Sequence, residues 1–327
     1  MTDYHIIGAE NSPYSIKVRS YFRYKDIPHQ WLRRAEAQEE YQRHAKLPLV
    51  PLVVTPDDEG MQDSTPIIEK IEAAHPTPSI YPEHSICRFI SVLLEEFGDE
   101  WGNKWMFHYR WAREADQVAA STRLVTDMMP DASADQIETM AAGIRERMVD
   151  RVWFVGSSAQ TAPQIEASFK DSVALLDNHL GGRDYLFGGA PSFADFSLWA
   201  QIYNADKDPT PHAIIEGCAN LSGWLERMVS PEARGPFESW PEVSDTLTPL
   251  LERQVGALFL PWSVANAAAI EEGLDEFSID LNGEEWTQKP QKYHARSLAA
   301  LRARYAESQD ESTDAVLEAT GCLAYLR

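Results

Sequence analysis

Three short stretches carry residues whose types and spacing suit one kind of chemistry. In Ser12-Pro13-Tyr14-Ser15 a proline in the first turn of a helix gives up no hydrogen bond the helix needs, so Ser12 falls at or beside the N-cap. Its hydroxyl then lies among amides that have no partner inside the helix, at the positive end of the dipole, where anions settle. A thiolate placed there is stabilised twice, by the field and by a hydroxyl donor. A free thiol titrates near about 8.5, so keeping one ionised at neutral pH needs a depression of roughly two units, or about 2.7 kcal/mol. A hydroxyl and a helix terminus together can supply that order. The same serine also reads as a plain helix cap.

The second stretch, Leu49-Val50-Pro51-Leu52-Val53-Val54, puts a proline into an apolar, strand-like run. Proline fits only at the start of a strand or on an edge. A cis Val50–Pro51 bond would turn the Val50 N–H and C=O outward to pair with an extended peptide, whereas a trans bond simply opens an edge strand. In the third stretch Asp63-Ser64 opens a helical pattern with Ile67, Ile68 and Ile71 on one face. Ser64 and the nearby helix amides suit a carboxylate, and Asp63 suits an ammonium. That pair also reads as an ordinary helix start.

The elements that must position these residues follow from local pattern. Tyr4–Gly8 is a short strand, the helix from Pro13 buries Ile16, Val18 and Phe22, a second strand lies near Gln30–Arg33 and a helix spans Glu36–Ala45. The Val-Pro strand, a turn at Asp57-Asp58-Glu59-Gly60 and the Asp-Ser helix complete a β-α-β-α-β-β-α run. This run resembles the thioredoxin-like N-terminal domain of glutathione transferases. The resemblance implies that Val50-Pro51 is the Val–cis-Pro pair that binds the cysteinyl backbone of glutathione. It makes Asp63-Ser64 the acidic-or-Gln plus Ser pair that holds the γ-glutamyl end, and Ser12 the catalytic hydroxyl of a Ser-Pro branch. Asp63 departs from the usual Glu or Gln and has a shorter reach. Lys46 and Arg43, shortly before Pro51, are candidates for the glycyl carboxylate.

A second region carries the resemblance independently. Gly188-Gly189-Ala190-Pro191-Ser192-Phe193-Ala194-Asp195-Phe196-Ser197-Leu198 looks like the signature of the family's all-α C-terminal domain, with Ser192 and Asp195 as a capping box that serves folding rather than chemistry. The implied architecture is an α/β thioredoxin-like domain over 1–82, an all-α substrate-pocket domain over 83–236 and an added α+β extension over 237–327. Phe97, Trp101, Trp105 and either His108 or Tyr109 fall on one stripe of a long helix. In the resembled family this helix walls a hydrophobic substrate pocket, so Trp101, Trp105, His108 and Tyr109, with Tyr14, are the expected lining; the stripe equally suits a core.

The resemblance implies a glutathione-dependent transferase. The bound thiolate, stabilised by Ser12 as a donor and not as a nucleophile, attacks a small hydrophobic electrophile, cleaves a thioether, or reduces a disulfide or peroxide. Glutathione is the co-substrate, no metal is called for, and the expected assembly is a homodimer. The alternative is a non-catalytic glutathione transferase-like binding or scaffold protein.

Composition sets the outer bounds. The chain has 327 residues, 44% of them hydrophobic, and a formal net charge of −22, which argues against nucleic acid or an anionic membrane as partner. Residues 1–50 run the other way, with eight Lys or Arg against six Asp or Glu, as suits an anionic ligand or a solvated basic face. Cys87, Cys218 and Cys322 are too few and too far apart for a disulfide framework or zinc site, which points to the cytoplasm. The N-terminus has no secretory signal pattern, and the longest apolar stretch, Ala257–Ile270, is interrupted by Pro261 and Asn266. In the extension, Phe277–Leu281 and Glu284–Gln288 around Asn282-Gly283 read as a hairpin, followed by a helix over Tyr293–Tyr305 with Leu298 and Leu301 inward. Trp262, Trp286 and Tyr293 make this segment too apolar for disorder, so it is expected to pack on the body and narrow the pocket mouth.

Overall fold

A computed structural model describes residues 3–327. The N-terminal unit runs β1 (Tyr4–Gly8), α1 (Pro13–Tyr24), β2 (His29–Arg33), α2 (Gln38–His44), β3 (Leu52–Val54), β4 (Gly60–Gln62) and α3 (Ser64–Ala74). The sheet order is β2-β1-β3-β4, with β1 parallel to β2 and antiparallel to β3. Both faces are covered. Ile6 and Val53 face α1 and α3 in the main core, while Ile7, Leu52 and Val54 meet Ala37 and Tyr41 of the α2 side. Helix α2 starts two residues later than Glu36 because the Glu36 carboxylate accepts from the Arg33 N–H, holding that segment as a turn.

The helical region contains α4 (Ser85–Phe97), a π-helical turn at Gly98–Gly102, α5 (Asn103–Ala112), α6 (Glu114–Met128), α7 (Ala134–Val149), α8 (Ala162–His179), α9 (Phe193–Ala205), α10 (Pro209–Ile215) and α11 (Ala219–Arg227). The expected long aromatic helix is continuous from Ser85 to Ala112, with a wider π-helical turn at its centre. At Gly98 a Cβ would lie 2.4 Å from Ser197 Oγ, so only glycine lets α9 approach this closely. The Ser192/Asp195 capping box forms, and Asp195 Oδ1 also accepts from the Leu186 N–H and Trp224 Nε1, both at 2.9 Å. One carboxylate thus ties the start of the buried α9 to two neighbouring segments.

The C-terminal segment adds α12 (Trp240–Leu250), a second π-helical stretch at Leu251–Phe259, α13 (Leu260–Glu272), the β5 (Phe277–Leu281) and β6 (Glu284–Gln288) hairpin, α14 (Lys292–Ser308), α15 (Glu311–Ala319) and α16 (Leu323–Leu326). Its Trp262, Trp286, Leu301 and Leu317 belong to the same continuous core as Ile16 of α1 and Trp101 of the π turn. Lys104 acts as a peg. Its ammonium lies 3.6 Å from the centre of the Trp262 ring and 5.5 Å from those of Trp101 and Trp286, and it donates to the Val155 carbonyl. Helix α14 is fastened to α4 and α3 by Arg304, which meets Glu96 and Glu69, each at 2.8 Å. Among the described residues no helix is long and apolar enough to cross a membrane.

Candidate functional site

Strand register brings the three chemical stretches to one end of the sheet. Ile7 pairs with Leu52, and Leu52 pairs with Gln62, so the end of β1, the start of β3 and the end of β4 lie side by side. The chain leaving β1 leads into Ser12, the chain entering β3 is Val50-Pro51, and the chain leaving β4 is Asp63-Ser64. Ser12 is the N-cap of α1; it is half-buried, and its Oγ accepts from the Ser15 N–H at 3.3 Å. The hydroxyl proton stays available to an anion at the helix terminus.

The Val50–Pro51 bond is cis, and the Val50 N–H and C=O make no hydrogen bond with the described residues. The loop before it is held from behind: the Tyr41 hydroxyl and the Gln62 amide both donate to the Leu47 and Leu49 carbonyls. Lys46 is exposed in this loop with its ammonium unpaired among the described residues, whereas Arg43 is turned away to Asp58, 3.0 Å distant. Asp63 sits at φ +79°, a conformation that non-glycine residues rarely adopt and that aims its side chain away from a normal cap contact. Burial pushes its carboxyl above the ordinary range, against the opposing effects of a hydrogen bond from Tyr293 and the charge of Lys17.

Beneath this edge lies a buried charged cluster with no counterpart in the sequence reading. The Lys17 ammonium donates to Glu95 Oε1 at 2.5 Å, Asp99 Oδ2 at 2.6 Å and Thr65 Oγ1 at 3.1 Å. The Ser64 hydroxyl donates to the same Asp99 oxygen at 3.3 Å, and Ser197 Oγ donates to the other at 2.7 Å. Burial alone would depress the Lys17 ammonium, but Asp99 and Glu95 more than offset it and its pKa rises. Burial pushes Glu95 upward despite Lys17. The cluster joins α1, α3 and α4, so it fixes Ser12 and Ser64 relative to each other. Tyr14 contributes to the same bracing: its hydroxyl donates to the Asp99 carbonyl and accepts from Asn103, both at 3.0 Å. On the other side of Ser12, Arg110 donates to the Asn11 carbonyl at 2.9 Å and Arg123 to its side-chain oxygen at 2.7 Å.

The packing places the residues expected to line the pocket in the interior. Trp101, Trp105, His108 and Tyr109 are all buried in the core. Both indole N–H groups donate to Ser168 Oγ, at 2.8 and 3.0 Å, and His108 is held between Ser157 and Glu166. Trp262 and Trp286 of the C-terminal segment cover Trp101, while Phe169 of α8 packs on Trp105 and Tyr109. Tyr14 likewise braces α1 through its hydroxyl. An open surface depression of about 610 Å³ lies beside the residue preceding Ser12, lined by Glu10, Asn11, Val118, Thr122, Arg123, Asp127 and Lys207 among others. Burial lowers the Lys207 ammonium to about 8, with Glu10 opposing. Among the described residues no group of three or more His, Cys, Asp or Glu is placed to hold a metal ion.

A thioredoxin-like α/β unit with a cis-proline at the sheet end, followed by a helical domain, defines a class of thiol-handling proteins. Residues 6–79 match the family model for the glutathione S-transferase N-terminal domain, and residues 131–227 match that for the glutathione S-transferase C-terminal domain. Together the matches cover more than half of the chain, which belongs to the glutathione S-transferase family. Among solved structures it is similar to a glutathione S-transferase of Methylobacterium radiotolerans in complex with glutathione sulfonate, at 18% identity over 75% of this chain and 94% of that one, with a TM-score of 0.41. It is also similar to a beta-etherase of Sphingobium sp. strain SYK-6, at 18% identity over 76% of this chain and 100% of that one, with a TM-score of 0.45. A GST-like protein from Pseudomonas syringae is 16% identical over 73% of this chain and 70% of that one, with a TM-score of 0.46. No curated protein matches the chain.

Proposed function

We propose that the protein is a glutathione-dependent transferase whose bound thiolate rests against Ser12 at the N-terminus of α1. The observation that carries this reading is the convergence of Ser12, the free peptide groups of Val50 and the Asp63-Ser64 helix start at one end of the sheet. An extended tripeptide needs such an edge for its backbone, an acid for its ammonium and helix amides for its carboxylate. Val50 pairs with the cysteinyl unit, with Pro51 fixing its orientation. Asp63 takes the ammonium, the backbone N–H of Ser64 the neighbouring carboxylate, and Lys46 the glycyl carboxylate.

Ser12 donates to the sulfur and lowers its pKa, so the thiolate is present at neutral pH to attack a co-substrate. The co-substrate occupies the open depression beside Asn11, where Val118 and Thr122 line one side, Lys207 stands among the acids Glu10 and Asp127, and Arg123 is already held by Asp208. Calorimetric titration with glutathione, its disulfide and an S-alkyl conjugate tests the reading. Binding of glutathione and the conjugate is the expected result, and absence of binding by all three would leave a scaffold protein that has kept only the fold.

A further inference from the structure

The hydroxyl of Tyr293, in the first turn of α14, donates to Asp63 and lies 3.1 and 3.2 Å from its two carboxylate oxygens. The residues are 230 positions apart. This contact is held from both sides. Gln291 and Asn266 exchange two hydrogen bonds, at 2.7 and 3.0 Å, so the entry into α14 is pinned to α13. On the other side His294 meets Glu100 and packs edge-on against Trp262, and Ser297 donates to Glu96. Tyr293 as a residue is 53% exposed although its hydroxyl is engaged. A tyrosine kept half in solvent while both flanks are locked is not explained by core packing.

We infer that Tyr293 is a positioning residue for the amino end of the bound peptide thiol, so that the C-terminal segment completes the ligand cradle of the N-terminal unit in the same chain. The inference rests on the reading of Asp63 as the ammonium acceptor. One hydroxyl shared between the two carboxylate oxygens orients Asp63 and favours its ionised form, and it leaves the outer lone pairs free for an ammonium. Selectivity for a ligand with a free amino group follows.

The test compares wild type, Tyr293→Phe and Asp63→Asn in calorimetric titration with glutathione and with glutaryl-cysteinyl-glycine, the analogue lacking only the amino group. Tyr293→Phe should weaken glutathione about 5- to 20-fold, the loss of one hydrogen bond to a charged group, and leave the analogue within about twofold. The weakening should grow as pH falls toward the carboxylate range, because Asp63 without its donor takes up a proton more readily. Equal weakening of both ligands, or no weakening of glutathione while Asp63→Asn still abolishes the preference for the amino group, would overturn the role of Tyr293 and leave the site reading standing. If wild type binds neither ligand, the site reading fails and this inference with it. Thermal unfolding of Tyr293→Phe matching wild type ties any loss to the site and not to folding.

Discussion

Ser64 Oγ and Asp99 Oδ2 are 3.3 Å apart, with Ser64 donating and both side chains buried. The hydroxyl expected to hold an incoming carboxylate is thus turned inward, toward the oxygen that also receives Lys17. At the proposed site the serine acts through its backbone amide, while its hydroxyl steadies the cluster that joins α1, α3 and α4.

Ser64→Ala should accordingly lower the unfolding free energy by about 1–2 kcal/mol, the effect of leaving a buried acceptor short of one donor. Glutathione affinity should fall by less than about threefold, since the helix amides remain. Urea denaturation and calorimetry on the same preparation separate the two. Unchanged stability with a tenfold loss of affinity would mean that the hydroxyl faces the ligand.

Glu100 gives the junction between body and C-terminal segment a pH dependence. Burial, then the charge of Asp99, push its carboxyl up to about 8 from an ordinary 4.5, with Lys104 opposing; His294, Ser297 and Asp63 also face it. The folded protein therefore holds a proton on Glu100 that the unfolded chain has released. Its contribution to stability is full below about 4.5 and is lost as pH rises through about 8, at no more than about 1.4 kcal/mol per pH unit. Glu100→Gln mimics the protonated form, so wild type should match it near pH 4 and fall behind it by a few kcal/mol near pH 8. The difference between the two denaturation curves cancels the other titrating groups. Parallel curves across that range would mean that Glu100 is ionised in the fold.

The N-terminal unit was legible because each boundary has a local cause: Pro13 at a first turn, Gly60 after an acidic turn, Asp63 before an isoleucine face. Asn282-Gly283 was equally plain, and both residues take positive φ, 57° and 84°, as a tight hairpin turn requires. Long-range partnership was not legible. Glu95, Glu96, Asp99 and Glu100 look like a solvated acidic patch until Lys17 arrives from α1 and Arg304 and His294 from α14. A missed local signal was that these acids follow Leu93-Leu94 and precede Trp101, inside an apolar run where charge needs burial partners. The aromatic stripe gave the right face but not what covers it, since periodicity says nothing about a segment 160 residues downstream such as Trp262.

That cover makes the C-terminal segment part of the folding unit. A chain ending at residue 239 would expose Trp101 and leave Lys104 without the Trp262 and Trp286 rings. It should lose the cooperative thermal transition, and trypsin should not accumulate a folded fragment of about 240 residues from the intact protein. Trp262→Ala in the full chain should cost about 3–5 kcal/mol. A truncated chain that unfolds cooperatively near the wild-type temperature would show the segment to be an appendage.

The proposed mechanism depends most on Ser12. Its hydroxyl accepts from the Ser15 N–H, which leaves its own proton free for a sulfur at the same helix end. Removing a donor that favours only the ionised form raises the pKa of the bound thiol without weakening the thiolate's other contacts. Ser12→Ala should therefore bind glutathione almost as well as wild type at high pH, with the thiol pKa higher by about one unit or more, the equivalent of one charge-assisted hydrogen bond. Activity should fall at neutral pH and partly recover in alkali. The ultraviolet absorbance of the bound thiolate, titrated against pH in both proteins, measures the shift directly. Superimposable curves would move the role to the helix terminus itself, where the amides and dipole of α1 act on the sulfur whatever residue stands at position 12.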